Sequence, residues 1–284
     1  MEVINSVMQA ALGGFFKLIF NAIAAVVVAA VEAVLKAVGF LWIYIKTPDV
    51  STNGTVTFIQ THTSFIVVFV AAIAIIIGAV QMAVSYRGEP AREMLRSLLT
   101  LTVVSGGSAT FAAVLIQSSD EFSSWIIGQA LGANDDAFAK SLATLMVEPL
   151  KSPTETLGFV LVIFVGILMV ITAIIQLALM IVRYGMLVLL VAMLPLTAAA
   201  TNTEMGMSWF KRALGWLAGF IIYKPVAALI YAAAIHLMSV PKPAGGTAPD
   251  GTPETLKIIM GVTMMIVAVV ALPAILRFVA PKAS

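Results

Sequence analysis

The residues that build most catalytic and metal sites are scarce in this sequence. It has no cysteine and only two histidines, His62 and His236, which excludes disulfides, thiolate metal sites and cysteine nucleophiles. Neither the phosphate-loop pattern G-x-x-x-x-G-K-[ST] nor the nucleophile pattern G-x-S-x-G occurs, and no pair of carboxylates lies within an apolar segment. We therefore predict that the protein is not an enzyme and that it holds no metal and no cofactor.

Charge is also scarce. Only 11% of the residues are charged and 61% are hydrophobic, and the mean hydropathy is +1.07. Residues 158–200 carry one formal charge, Arg183, and this run is about twice as long as the ~20 residues that one helix needs to cross a bilayer. Lipid offers no hydrogen-bond partners to the backbone, so these long apolar runs predict helices. The expected fold is all-α: a polytopic membrane protein with five or six transmembrane helices.

The first region, residues 1–46, is apolar with a narrow polar stripe. Lys17, Asn21, Glu32 and Lys36 fall within an arc of about 100° when the segment is drawn as a helix. The stripe is compatible with an amphipathic helix that lies at the membrane surface or packs its stripe in a wet groove. The alternative interpretation is a crossing at 18–45 whose stripe faces protein.

Residues 64–117 predict a membrane hairpin of two helices. The first span, 64–86, has no charge, and the turn at 87–96 carries three arginines, which places the turn in the cytoplasm because short basic loops stay on that side. The second span is 97–117. Its small residues at 105–108 are typical of close packing between membrane helices.

Residues 118–156 form the longest polar stretch, and we predict that they form an extracytoplasmic helical hairpin. The stretch contains six acidic residues and only two lysines. Ser119 or Asp120 is expected to cap a first helix that runs through Trp125, and Asn134 a second.

The last region, 157–284, is the predicted membrane core, and its topology has two interpretations. If 184–200 crosses the membrane, there are six spans, but Lys211, Arg212 and Arg277 then lie outside, against the positive-inside rule. If 184–200 re-enters, broken by Pro195, there are five spans and the basic residues stay inside. Such a re-entrant segment must be covered by protein or line a water-filled cavity.

Four residues of this core are candidates for lining a passage or shaping its helices: Arg183, Pro195, Lys224 and Pro225. Lys224 lies near the centre of a predicted span, where a lysine costs roughly 2.5–3.5 kcal/mol on insertion scales. Lys224 either faces a water-filled lumen or a subunit interface, or its ammonium bonds to the backbone carbonyls that Pro225 frees near residue 221 or to a neighbouring helix end. Gly215 and Gly219 form one G-x-x-x-G pattern, a candidate for helix packing.

Residues 183–232, RYGMLVLLVAMLPLTAAATNTEMGMSWFKRALGWLAGFIIYKPVAALIYA, resemble the core of the TrbL-type conjugal-transfer membrane proteins of type IV secretion systems. Arg183 precedes an apolar helix that ends in Leu194-Pro195-Leu196. A short polar link follows, with Trp209 and a basic pair at its end, and the next helix carries Lys224-Pro225. The arginine-rich turn and the acidic loop with Trp125 resemble those of actinobacterial members, and the likeness covers most of residues 40–280.

The resemblance implies an oligomeric component of a type IV secretion or conjugation apparatus in the bacterial cytoplasmic membrane, shaping the translocation channel or a platform for pilus assembly. Implied partners are other membrane subunits, a secretion ATPase and further copies of the chain, embedded in the lipid bilayer. Direct contact with nucleic acid stays open, and functions tied to the long polar C-terminal tail of many relatives are not expected. The alternative is an independent small-solute channel or transporter.

Overall fold

A computed structural model describes residues 2–44, 47, 49–85, 89–131, 147, 156–239 and 254–279. The described ranges contain no strand, and they hold six long helices: α1 (Glu2–Tyr44), α2 (Gly54–Ser85), α3 (Glu89–Leu131), α4 (Thr156–Ala198), α5 (Glu204–Ser239) and α6 (Glu254–Val279). Five of them are long and apolar enough to cross a membrane, and α6 holds a shorter apolar stretch, Val262–Phe278. The predicted class, a polytopic all-α membrane protein, is confirmed.

The link between α1 and α2 is closed by side chains that bond to the backbone. The Asp49 carboxylate accepts hydrogen bonds from the Ser51 hydroxyl at 2.5 Å and the Ser51 N–H at 2.9 Å, which hold the pKa of Asp49 below its usual value. Asn53 caps α2, since its side-chain oxygen accepts the Thr55 N–H at 2.9 Å. The boundary that the sequence predicts after residue 46 lies in this link, between the end of α1 at Tyr44 and the start of α2 at Gly54.

Helix α3 runs without interruption from Glu89 to Leu131, so residues 89–96 of the predicted basic turn lie in the helix. The prediction that a helix starts at Ser119 or Asp120 is wrong, because no proline interrupts the chain there and both side chains bond to other segments instead of capping. The second helix of the expected hairpin, starting at Asn134, lies outside the described residues. Its extracytoplasmic location stays a prediction.

Helix α4 is likewise continuous over 43 residues, about 64 Å at 1.5 Å per residue. It passes through Pro195 and ends three residues later, so the chain does not reverse direction between 184 and 198, as a segment that dips and returns would have to. The side of the membrane that its end reaches stays a prediction. Thr203 then caps α5 by accepting the Gly206 N–H at 3.0 Å, and Gly206 has no room for a Cβ against the Ala200 carbonyl.

The helices form two compact units. The first unit comprises Met1–Ile45, Ser124–Leu179 and Ala228–Val269. Tyr231 lies in its core, and the Tyr231 hydroxyl donates to the Gln176 side-chain oxygen at 2.5 Å. The Gln176 amide in turn donates to the Met265 carbonyl at 3.1 Å, so a buried polar chain joins α4, α5 and α6.

The second unit comprises Lys46–Ser123, Met180–Ala227 and Val270–Ser284. Its core includes the fully buried apolar side chains of Leu187 and Val191, together with buried polar and charged side chains. At the α4–α5 turn, the Thr201 and Ser97 hydroxyls bond at 2.7 Å and the Asn202 amide donates to the Ala74 carbonyl. These bonds tie the turn to the α2–α3 hairpin.

Candidate functional site

Three ionisable side chains meet inside the second unit: Asp120 of α3, Arg183 of α4 and Lys224 of α5. The Lys224 ammonium lies 3.1 Å from the Asp120 carboxylate oxygen Oδ1, and an Arg183 guanidinium nitrogen lies 3.4 Å from the same oxygen. We call these residues the ion triad. One carboxylate thus joins cations from two neighbouring helices, which ties three helices at one point.

The ion triad is almost closed to its surroundings. The exposed fractions of the side chains are 4% for Arg183, 5% for Lys224 and 18% for Asp120. Burying a charge is costly unless it is paired and hydrogen-bonded, and here each cation has a carboxylate partner. The two cations and one carboxylate leave a formal charge of +1, and Asp120 is the member on which both attractions depend.

Thr47, in the link before α2, completes the shell around the Asp120 carboxylate. Its hydroxyl donates to Asp120 Oδ2 at 2.6 Å, and its N–H donates to the same oxygen at 3.2 Å. The Thr47 hydroxyl oxygen also accepts a hydrogen bond from Arg183 at 3.0 Å. Both oxygens of the carboxylate are therefore bonded, and a fourth segment is fastened to the three helices.

Pro225 explains why α5 needs these neighbours. Proline has no N–H, so the carbonyl of Ile221, four residues earlier, loses its helical partner. The Ser119 hydroxyl of α3 donates to that carbonyl at 2.8 Å, and Arg183 Nε donates to the adjacent Phe220 carbonyl at 2.9 Å. The freed carbonyl of Ile221 therefore accepts a hydrogen bond from Ser119, and the Lys224 ammonium pairs with Asp120 instead.

The structure brings together three of the four residues proposed to line or shape a passage. Arg183, Lys224 and Pro225 surround one point, whereas Pro195 lies about 18 Å further along α4, at 1.5 Å per residue. Arg183 and Lys224 are buried, and Pro225 is half-buried. Whether they line or shape a passage stays a prediction, but their contacts are those of helix-shaping residues.

One of the two glycine candidates has a packing contact within the chain. Gly219 is buried, and a Cβ built on it would lie 2.8 Å from Leu276 of α6, so this position permits the close approach of α5 and α6. Gly215 is half-buried. The small residues of α3 behave differently, because a Cβ on Gly106 or Gly107 meets nothing within 4 Å.

Sequence reasoning missed Thr47, and it missed the contacts of Ser119 and Asp120, which it treats as helix caps. It places Asp120 among the acids of the polar stretch 118–156. A signal was nevertheless present: two cations in predicted apolar spans require a counter-charge, and Asp120 is the acid closest to the end of the 97–117 span. Ser119 and Thr47 gave no such signal, because single hydroxyl residues are common at helix ends.

Apolar helices of membrane-spanning length, with ionised groups paired in their interior, define a polytopic helical membrane protein. The chain belongs to the family described as TrbL/VirB6 plasmid conjugal transfer like protein, which matches it over residues 1–284. The resemblance drawn from residues 183–232 is confirmed, and membership makes the chain a membrane component of a conjugal-transfer or type IV secretion system. Comparisons with curated proteins and with solved structures found no match.

Proposed function

We propose that this protein is an oligomeric, non-enzymatic component of a type IV secretion apparatus in the bacterial cytoplasmic membrane. In this proposal it shapes the translocation channel or the platform for pilus assembly, beside other membrane subunits and a secretion ATPase. Family membership supports the system to which it belongs, and the apolar helices support the membrane location.

The ion triad is the observation that carries a shaping role. A single carboxylate holds α3, α4 and α5, while Ser119 and Arg183 bond to the carbonyls beside Pro225. The path of α5 is therefore fixed by side chains of two other helices. Such an arrangement suits a subunit that must present a constant shape to its neighbours.

The outer surface of the chain is compatible with assembly with other proteins. The most apolar windows of α1, α2 and α3 are only 17%, 17% and 11% buried within the chain, and α2 and α3 display large exposed side chains such as Phe65, Phe69, Val103 and Phe111. Lipid can cover such faces, but an oligomer can cover them as well.

The proposal is tested by purifying the tagged protein in mild detergent from donor-cell membranes and measuring the mass and composition of what is recovered. We expect a large complex that contains several copies, other membrane subunits and the secretion ATPase. A small homo-oligomer without partners, which conducts small solutes after reconstitution in liposomes, would establish the independent channel instead.

Point variants link the ion triad to this function. Asp120→Asn should abolish conjugal transfer and reduce recovery of the complex, because two buried cations lose their carboxylate. Glu121→Gln is the matched control, because Glu121 is the next acidic residue on the same helix and is exposed. Among the contacts described for it, its carboxylate bonds only to Gln117. Wild-type transfer by Asp120→Asn would contradict the shaping role.

A further inference from the structure

The turn between α4 and α5 is fixed to α3 by a pair of hydroxyl groups. Thr201 has one hydroxyl hydrogen, and it donates this hydrogen to the Ala198 carbonyl at 2.9 Å. The Ser97 hydroxyl lies 2.7 Å from the Thr201 hydroxyl oxygen, so Ser97 is the donor of that bond, because the Thr201 hydrogen is already in use. The Ser97 oxygen keeps its lone pairs and can still accept a hydrogen bond.

Asn202, the next residue of the turn, has a side-chain amide whose orientation is set by α2. Its nitrogen Nδ2 donates to the Ala74 carbonyl, and an amide turned the other way would place its oxygen Oδ1 against that carbonyl, acceptor against acceptor. Gly78 makes room for this contact, since a Cβ built on it would lie 3.4 Å from Nδ2. The oxygen Oδ1 therefore faces away from the Ala74 carbonyl.

The oxygen Oδ1 of Asn202 is buried, and no donor among the described residues bonds to it. A buried acceptor without a partner loses its bonds to water on folding and gains none in return. Buried polar atoms in folded proteins are therefore nearly always bonded to protein or to an ordered water molecule. Since the described part of the chain supplies no protein donor, an ordered water is the expected partner.

A small cavity adjoins these side chains. It offers about 10 Å³ of space that a water molecule can occupy, which is enough for one water and too little for a larger ligand. Ser97 and Asn202 both line the cavity, and they are the two lining residues, among those described, whose side chains contain oxygen or nitrogen. The cavity therefore presents two open acceptor oxygens to a ligand.

The chemistry of these two oxygens identifies the ligand. Two acceptors require a molecule that donates two hydrogen bonds. A cation such as ammonium meets that requirement, but the described lining side chains carry no negative charge to offset a buried positive one. A water molecule is neutral, donates two hydrogen bonds and fits the volume.

We propose that this cavity binds one ordered water molecule, which donates one hydrogen to Asn202 Oδ1 and the other to Ser97 Oγ. The water joins Asn202 to α3, whereas the amide nitrogen joins it to α2, so both helices of the hairpin hold the α4–α5 turn at one residue. Every residue involved lies in the second unit of one chain. The inference therefore goes beyond the proposed function and does not depend on an oligomer.

Ala71, which also lines the cavity, allows a test with two variants of equal size. Ala71→Val and Ala71→Thr fill the same space and displace the water, so any strain from overpacking is shared. The hydroxyl group in Ala71→Thr can donate to Asn202 Oδ1 in place of the water, whereas the methyl group in Ala71→Val cannot. In a dry apolar cavity the order is reversed, because burying a hydroxyl is then the more costly of the two.

The measurement is the midpoint of thermal unfolding, Tm, of the purified whole chain in detergent micelles. We expect Ala71→Thr to unfold about 2–4 °C above Ala71→Val, the shift that one hydrogen bond produces in a protein of roughly this size. In an Asn202→Leu background, which has no Oδ1 to satisfy, we expect Ala71→Val to be the more stable variant. If Ala71→Val is at least as stable as Ala71→Thr in both backgrounds, the proposal is overturned.

A second measurement needs no variant to fold: a structure of the purified protein or complex at a resolution that shows ordered waters. We expect one water within about 3 Å of both Asn202 Oδ1 and Ser97 Oγ. Ordered waters elsewhere in the protein interior but none in this cavity would overturn the proposal, as would a protein donor bonded to Oδ1. Neither result touches the proposed function, which the composition of the purified complex decides.

Discussion

Loss of the Asp120 carboxylate should be the most damaging single change in the second unit. Asp120→Asn keeps the size of the side chain but removes the one carboxylate that lies 3.1 Å from Lys224 and 3.4 Å from Arg183. At an effective dielectric constant of 20, each attraction is about 5 kcal/mol before desolvation is subtracted. Removing one partner of a buried pair typically costs about 3–5 kcal/mol, and we expect a loss in that range.

Loss of one cation should cost less stability than loss of the carboxylate. Lys224→Met removes one of two positive charges and leaves Asp120 with Arg183 and Thr47, a balanced pair that keeps its hydrogen bonds. Since no uncompensated charge remains, the expected loss is about 1 kcal/mol or less. Adding Lys224→Met to Asp120→Asn should therefore recover part of the stability, because it removes one of the two stranded cations.

The assay is the free energy of unfolding in mixed micelles, titrated with a denaturing detergent, for the wild type, both single variants and the double variant. Glu121→Gln, an exposed acid on the same helix, is the control for loss of a carboxylate as such. A Lys224→Met loss as large as that of Asp120→Asn would refute the charge argument. An Asp120→Asn loss as small as that of Glu121→Gln would refute the ion triad.

Two further predictions concern the helix contacts. Ser119→Ala should lower the free energy of unfolding by about 1 kcal/mol, because it leaves the Ile221 carbonyl unbonded. In a Pro225→Ala background, which restores a backbone N–H, the same change should cost less than half as much. Equal losses in the two backgrounds, measured by the same titration, would contradict the assignment of this hydrogen bond. Gly166→Ala should cost about 1–3 kcal/mol because its Cβ meets Val27. Gly106→Ala, whose Cβ meets nothing within 4 Å, should be neutral or stabilising, so a similar loss at both glycines would show that packing is not the cause.

The class of fold was predictable because the hydropathy of a segment indicates directly whether it lies in lipid or in water. Runs such as 64–86 and 158–200 are too apolar and too long for anything but helices in or beside lipid. The helix boundaries were less predictable. The predicted boundaries after residues 117 and 183 lie inside helices, since α3 and α4 continue through both positions.

That error has a physical cause. A charge ends a span only if it stays unpaired, and pairing is a property of the tertiary structure. Arg183 and Asp120 are 63 residues apart in sequence, so no local pattern reveals that they neutralise each other. The sequence identified both cations and the proline, but the residues that explain them, Asp120 and Ser119, became visible only once α3, α4 and α5 were packed.

The ion triad is better understood as a determinant of shape than of stability. Buried ion pairs often contribute no more to stability than apolar residues of the same volume would, so an apolar core could hold α3, α4 and α5 together equally well. Apolar replacements for the ion triad would also remove the donor to the Phe220 carbonyl. Pro225 frees the carbonyl of Ile221, which Ser119 bonds, and Arg183 donates to the neighbouring Phe220 carbonyl while it pairs with Asp120, so the charge that holds the helices together contacts α5 one residue from the point where it loses its own hydrogen bond. A subunit that must keep one geometry in a large assembly gains more from this coupling than a solitary membrane helix would.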